Sequence, residues 1–129
     1  EAFADLPITV PADPEPETIH GYHLYTILVD EAKTGISRDA FLSAMAGENI
    51  GVGVHYQSLP EHIYYQERFG WQPKDYPNAM RIGEQTVSLP ISAKLTDSDV
   101  EDVIAGVKKC LAIGKTQNPV LATAGKITN

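Results

Sequence analysis

Residues Gly51 to Gly70 read GVGVHYQSLPEHIYYQERFG, and the fold turns on how this stretch is read. Gly51-Val52-Gly53-Val54-His55-Tyr56 alternates in a way that predicts a short strand. Val52, Val54 and Tyr56 would share one face, and Gly53 and His55 the other. A loop with Pro60 follows. A short helix rich in Tyr, Gln, Glu and Arg then stops at Gly70, where glycine suits the left-handed C-terminal position. A strand end that hands His55 and Tyr56 to a loop places chemistry on a rigid frame. The plainer alternative is that both are half-buried sheet residues. The candidate site residues are therefore His55 and Tyr56.

Working outward, Tyr22 to Asp30 predicts a first strand, with apolar residues on both faces and hence a central, doubly covered position. Glu31 to Gly35 reads as a turn. Ser37 suits an N-cap, and the following helix runs from about Arg38 to Glu48 with Phe41, Ala44 and Met45 on one face. Asn49 can take positive φ after it. Downstream, Trp71 to Asp75 reads as a loop. Pro77 opens a helix to about Gln85, and Thr86 to Leu89 is a third strand ended by Pro90. Thr96 caps a last helix, with Asp97 and Asp99 favouring its positive end and Val100, Val103, Ile104, Val107 and Leu111 at helical spacing. Pro7, Pro11, Pro14 and Pro16 make residues 1–21 an extended surface connector. Residues 22–112 form the domain, and 113–129 are polar and small, a loose tail. The expected class is α+β: a short, mainly antiparallel sheet packed against helices.

Composition narrows the function. A chain of 129 residues with 43% hydrophobic residues fits one domain with a modest core. The formal charge of −7 argues against a general nucleic-acid binder, which needs a basic face. No apolar run approaches the ~20 residues that cross a bilayer, and no partner membrane or nucleic acid is expected. The single cysteine, Cys110, cannot form an internal disulfide, in keeping with a reducing cytoplasm. It reads as a buried helix residue rather than a nucleophile.

Other motifs have plain readings. His20 and His23 would face opposite sides of a strand, and no cysteine or helical histidine partner joins them, so no metal site is expected. Asp97, Asp99, Glu101 and Asp102 fit a solvated helix start. Tyr64, Tyr65 and Phe69 at helical spacing read as a core stripe. Arg68 is open to two readings, an anion contact or an exposed ion pair with Glu67 or another acid. The glycines of GVGVHY lack a helix opening directly behind them, so they mark close backbone packing rather than a phosphate loop.

The residues also resemble a known family. His55-Tyr56, then Tyr64-Tyr65-Gln66-Glu67-Arg68-Phe69-Gly70, Asp75-Tyr76-Pro77-Asn78-Ala79, Ser88-Leu89-Pro90-Ile91 and Leu95-Thr96-Asp97 stand in order and spacing. Upstream stands Tyr22-His23-Leu24-Tyr25. The run from Ala2 to Leu111 resembles the C-terminal small domain of the DegT/DnrJ/EryC1/StrS family of PLP-dependent sugar aminotransferases. A single tetrapeptide would be weak, but so many in order are specific.

The resemblance implies the small domain of a fold-type I aminotransferase. It implies transfer of an amino group, with glutamate as donor, to a nucleotide-linked keto sugar in amino-sugar, polysaccharide or lipopolysaccharide biosynthesis. It implies a PLP cofactor held by a large domain, a homodimer, and a site mouth shaped by His55 and Tyr56. The connector would follow the large domain, so the chain reads as beginning in mid-protein. Lys33, Lys74, Lys94, Lys108, Lys109, Lys115 and Lys126 all lie outside the family's lysine motif. The isolated chain is therefore expected to carry no PLP and to catalyse nothing. Pro60 stands where many members have a second histidine, with His62 two residues later, and Ile63 where a proline often precedes Tyr-Tyr. A non-catalytic α+β binding module is the alternative.

Overall fold

The computed structural model describes residues 1–117. Within that range, β1 (Tyr25–Leu28) pairs antiparallel with β2 (Thr86–Leu89), Ile27 opposite Val87 and Tyr25 opposite Leu89. Single-residue bridges extend this sheet at both edges. Thr9 exchanges both backbone hydrogen bonds with Leu28, at 3.1 and 2.9 Å, and Gly53 does so with Ser88, at 3.1 and 2.8 Å. The order across the sheet is thus Thr9, β1, β2, Gly53, and all four residues of β2 are buried.

The helices end where their sequences dictate. Asp30 accepts from the Ala32 N–H at 3.1 Å, which turns the expected 31–35 turn into one helical turn, α1 (Glu31–Thr34), closed by Gly35 at φ 73. Ser37 Oγ accepts from the Ala40 N–H at 3.3 Å and starts α2 (Arg38–Gly47), and Asn49 takes φ 61 beyond it. The short α3 (Ile63–Phe69) closes at Gly70, φ 69. Pro77 occupies the first turn of α4 (Pro77–Gln85). At the start of α5 (Asp97–Gln117) Thr96 and Asp99 cap reciprocally. The Thr96 N–H donates to Asp99 Oδ2 at 2.7 Å, and the Asp99 N–H donates to Thr96 Oγ1 at 3.2 Å. The Thr96 hydroxyl also donates to Asp99 Oδ2, at 2.7 Å, and this bond with that of the Thr96 N–H holds the Asp99 carboxyl below the usual range.

The core is the buried face of the sheet (Ile27, Val29, Val87, Leu89) against Phe41 and Met45 of α2 and Val107, Cys110 and Leu111 of α5. Each such side chain is worth roughly 1.5–3 kcal/mol before entropy. Cys110 is buried, as the sequence reading has it, and burial pushes its thiol pKa up. Gly114 brings α5 onto the end of α1. A Cβ there would collide with the Thr34 carbonyl oxygen and stand 2.8 Å from Gly35 C and 2.9 Å from Ile36 N.

Several expectations change. The first strand shortens to Tyr25–Leu28, because Tyr22 at φ 45 breaks the extended chain before it and Asp30 caps α1 after it. The expected strand at 51–56 is reduced to the single bridge at Gly53, where two glycines offer the ladder little to pack. The start of the expected surface connector joins the core: Phe3 is buried and Leu6 and Ile8 pack against it, whereas residues 9–23 are exposed. Val100 is 45% exposed rather than buried. The Tyr64, Tyr65, Phe69 stripe is not core. α3 packs chiefly on the turn Leu59–Glu61, not on the sheet, and has no buried residue. Of the expected tail, Ile113 to Gln117 continue α5, and 118–129 lie outside the described residues.

Candidate functional site

The bridge between Gly53 and Ser88 positions the first candidate. Two residues past Gly53 the chain returns to the same side, so the half-buried His55 ring lies over Gly53. A Cβ at Gly53 would stand 3.0 Å from His55 Cε1, so the missing side chain makes room for the imidazole. His55 Nδ1 lies 2.9 Å from Ser88 Oγ, and Ser88 is 5% exposed on β2. Tyr56 is 73% exposed, its ring edge-on to His55 with centroids 4.8 Å apart, and the peptide between the two is cis.

The loop behind them is held firmly. The Ser58 N–H donates to Glu61 Oε2 at 3.2 Å, Ser58 Oγ donates to the Ala79 carbonyl at 2.5 Å, and Gln66 Nε2 donates to the Pro60 carbonyl at 2.8 Å. Gly83 on α4 permits this seat, because a Cβ there would collide with Ser58 Oγ and stand 3.0 Å from its backbone nitrogen. Beyond the loop is a surface aromatic array. Tyr65 stacks on Trp71 at 5.4 Å and 12°, Phe69 lies against both, and Tyr76 adjoins Trp71 at 5.5 Å. Arg68 lies over the Phe69 ring at 5.6 Å, so its partner here is an aromatic face rather than Glu67.

Sequence reasoning named His55 and Tyr56 and the structure sets them side by side, but it missed Ser88. The one available signal was the run Ser88-Leu89-Pro90, which carried no role until β2 was paired with Gly53. An apolar cleft of about 650 Å³ lies elsewhere, lined by Phe3, Val10, Tyr25, Leu89, Ile91 and Val103, and neither His55 nor Tyr56 lines it. Among the described residues no three His, Cys, Asp or Glu side chains come together as a metal site, and no helix is long and apolar enough to cross a membrane.

The lysines bear on PLP. Every described lysine side chain is exposed, and Lys33 and Lys109 pair with Asp30 and Glu48 at 3.6 and 2.6 Å. Lys109 lines a cleft, but Glu48, Asp99 and Asp102 share it and disfavour a phosphate. The described residues do not by themselves fit PLP.

Comparison with known proteins gives the family of the chain. A profile of the DegT/DnrJ/EryC1/StrS aminotransferase family matches residues 1–108. The chain belongs to that family. Its relatives include the spore coat polysaccharide biosynthesis protein SpsC of Bacillus subtilis, 39% identical over 108 residues, which are 83% of this chain and 28% of SpsC. The uncharacterized protein MJ1066 of Methanocaldococcus jannaschii is 40% identical over 93 residues, 72% of this chain and 24% of its own. Among solved structures, the apo form of "Putative sugar aminotransferase Spr1654" from Streptococcus pneumoniae matches with a TM-score of 0.79 at 27% identity. That match covers 92% of this chain and 29% of Spr1654. The PMP and PLP forms of Spr1654 match with TM-scores of 0.76. The chain therefore spans less than a third of the length of these relatives.

Proposed function

We propose that this chain is the C-terminal small domain of a PLP-dependent aminotransferase that moves an amino group from glutamate to a nucleotide-linked keto sugar. Its domain takes in residues 22–112 together with the packed residues 3–8 and the rest of α5 to Gln117, and the exposed residues 9–21 are the connector. Family membership over residues 1–108 carries the reading. The PLP and PMP forms of Spr1654 support the cofactor, and the naming of SpsC for polysaccharide biosynthesis supports amino-sugar formation.

The division of labour follows from the residues. PLP supplies the electron sink for amino transfer when it is bound by a large domain outside this chain. The small domain contributes the mouth of the site. The half-buried, hydrogen-bonded His55 is a fixed polar group, and Tyr56 offers an exposed ring and hydroxyl beside it. Both suit an oxygen-rich sugar, since a group already ordered loses little entropy on binding. The whole enzyme would be a cytoplasmic homodimer. The lone buried Cys110 agrees with a reducing compartment.

The test is amino transfer by the protein that carries the large domain, assayed with glutamate over a panel of keto sugar nucleotides. Formation of an amino sugar nucleotide is expected. A PLP-loaded protein that transfers to none of them would overturn the reading. This chain alone, mixed with PLP and borohydride, is expected to trap no stoichiometric adduct at a single lysine.

A further inference from the structure

The hydroxyl of Ser88 has one described partner, His55 Nδ1 at 2.9 Å, and the residue is almost fully buried. The Ser88 backbone N–H and carbonyl are both taken by Gly53. A hydroxyl has one proton to give and two lone pairs to fill. If Nδ1 carried the ring proton and donated it to Oγ, the hydroxyl proton of Ser88 would be left in the interior without an acceptor. If Oγ donates to Nδ1, its two lone pairs go unfilled but no proton does, and unfilled lone pairs are the lesser cost beside an unpaired donor.

We propose that Ser88 holds neutral His55 in the form protonated at Nε2, so that the site presents an N–H donor and recognises a ligand oxygen with free lone pairs. Nε2 has no hydrogen-bond partner among the described residues, and no described buried side-chain nitrogen or oxygen lacks one, so Nε2 reaches solvent. The missing side chain at Gly53 leaves room for the ring edge at Cε1, which lies between the two nitrogens. A carbonyl, hydroxyl or phosphate oxygen of a sugar nucleotide meets this donor; a ligand group with only a proton to give does not. Neutral His55 then cannot take up a proton at Nε2, so it orients and polarises rather than acting as a base there. Ser88 is a positioning residue acting through His55. That His55 meets the substrate rests on the function proposed above.

The test is the pattern of ring ¹⁵N resonances of His55 in this chain, recorded above the imidazole titration. The expected spectrum has a proton-bearing Nε2 and a hydrogen-bonded, unprotonated Nδ1. Ser88→Ala should move the Nδ1 resonance toward that of a free imidazole and admit the second tautomer, and Ser88→Thr should restore the parent pattern. A proton on Nδ1 in the parent overturns the proposal, as does a Ser88→Ala spectrum identical to the parent. If Ser88→Ala does not fold, the parent spectrum alone decides. In the enzyme with its large domain, Ser88→Ala should lower kcat/KM about threefold to tenfold and Ser88→Thr should recover it. Should His55→Ala leave turnover intact while the expected spectrum holds, the site reading fails and the tautomer stands.

Discussion

Three glycines in helices give a graded prediction. Gly→Ala in a helix interior is favourable by about 0.8–1 kcal/mol on propensity alone. Geometry reverses the sign at Gly114. Its new Cβ would meet the Thr34 carbonyl oxygen and lie under 3 Å from two further backbone atoms of the 35–36 turn. Backbone cannot swing aside as a side-chain end can, so α5 must move off α1. Overpacking of this kind costs about 1–3 kcal/mol, leaving a net loss of up to about 2 kcal/mol. For a domain of this size that is a fall in Tm of up to about 10 °C. At Gly106 the obstacle is Ile50 Cδ1, the far end of a flexible side chain, so the change should be within about 1 kcal/mol of neutral. At Gly47 nothing lies within 4 Å, and Gly47→Ala should stabilise by a few tenths to about 1 kcal/mol. Thermal unfolding followed by circular dichroism reads all three. Stabilisation by Gly114→Ala would refute the close approach of α5 to α1.

The buried Cys110 should not react with a thiol reagent in the native chain, and should react fully once unfolded. Because the folded pKa of Asp99 is depressed, its contribution is fully present above the unfolded pKa and is lost as pH falls through the folded one. The Tm deficit of Thr96→Ala should therefore be constant near neutrality and shrink below the usual carboxylate range, leaving the pH-independent loss of the Thr96 cap. A deficit that grows in acid would contradict the capping pair. Phe41→Ala should cost about 3–5 kcal/mol. Phe69→Ala, at a residue 54% exposed, should cost less than about 1 kcal/mol, as denaturant titration will show.

Much of this was legible in the sequence because it is local. Ser37, Asn49, Gly70, Pro77 and Thr96 act within a turn of their own position, and each stands where its chemistry placed it. The α+β class agreed with the resemblance to the family's small domain, and two of the three expected strands form the antiparallel sheet. What was not legible depends on distant partners. Nothing near Phe3 reveals that residues 1–8 fold back onto the core, and prolines alone pointed outward. Helical spacing showed that Tyr64, Tyr65 and Phe69 share a helix, not what that helix packs against. Ser88 lies 33 residues from His55, so its hydrogen bond needed the sheet to be assembled first.

The most direct test of the central claim is His55→Ala in the enzyme with its large domain, with kinetics and melting measured on the same preparation. A site residue at the mouth predicts that kcat/KM for the keto sugar nucleotide falls at least about tenfold, or ~1.4 kcal/mol, while Tm barely moves. A residue that only packs against Gly53 and Ser88 would leave an unsatisfied partner, with a stability loss of ~1–3 kcal/mol. A large fall in Tm with normal kinetics in the folded enzyme would contradict the account.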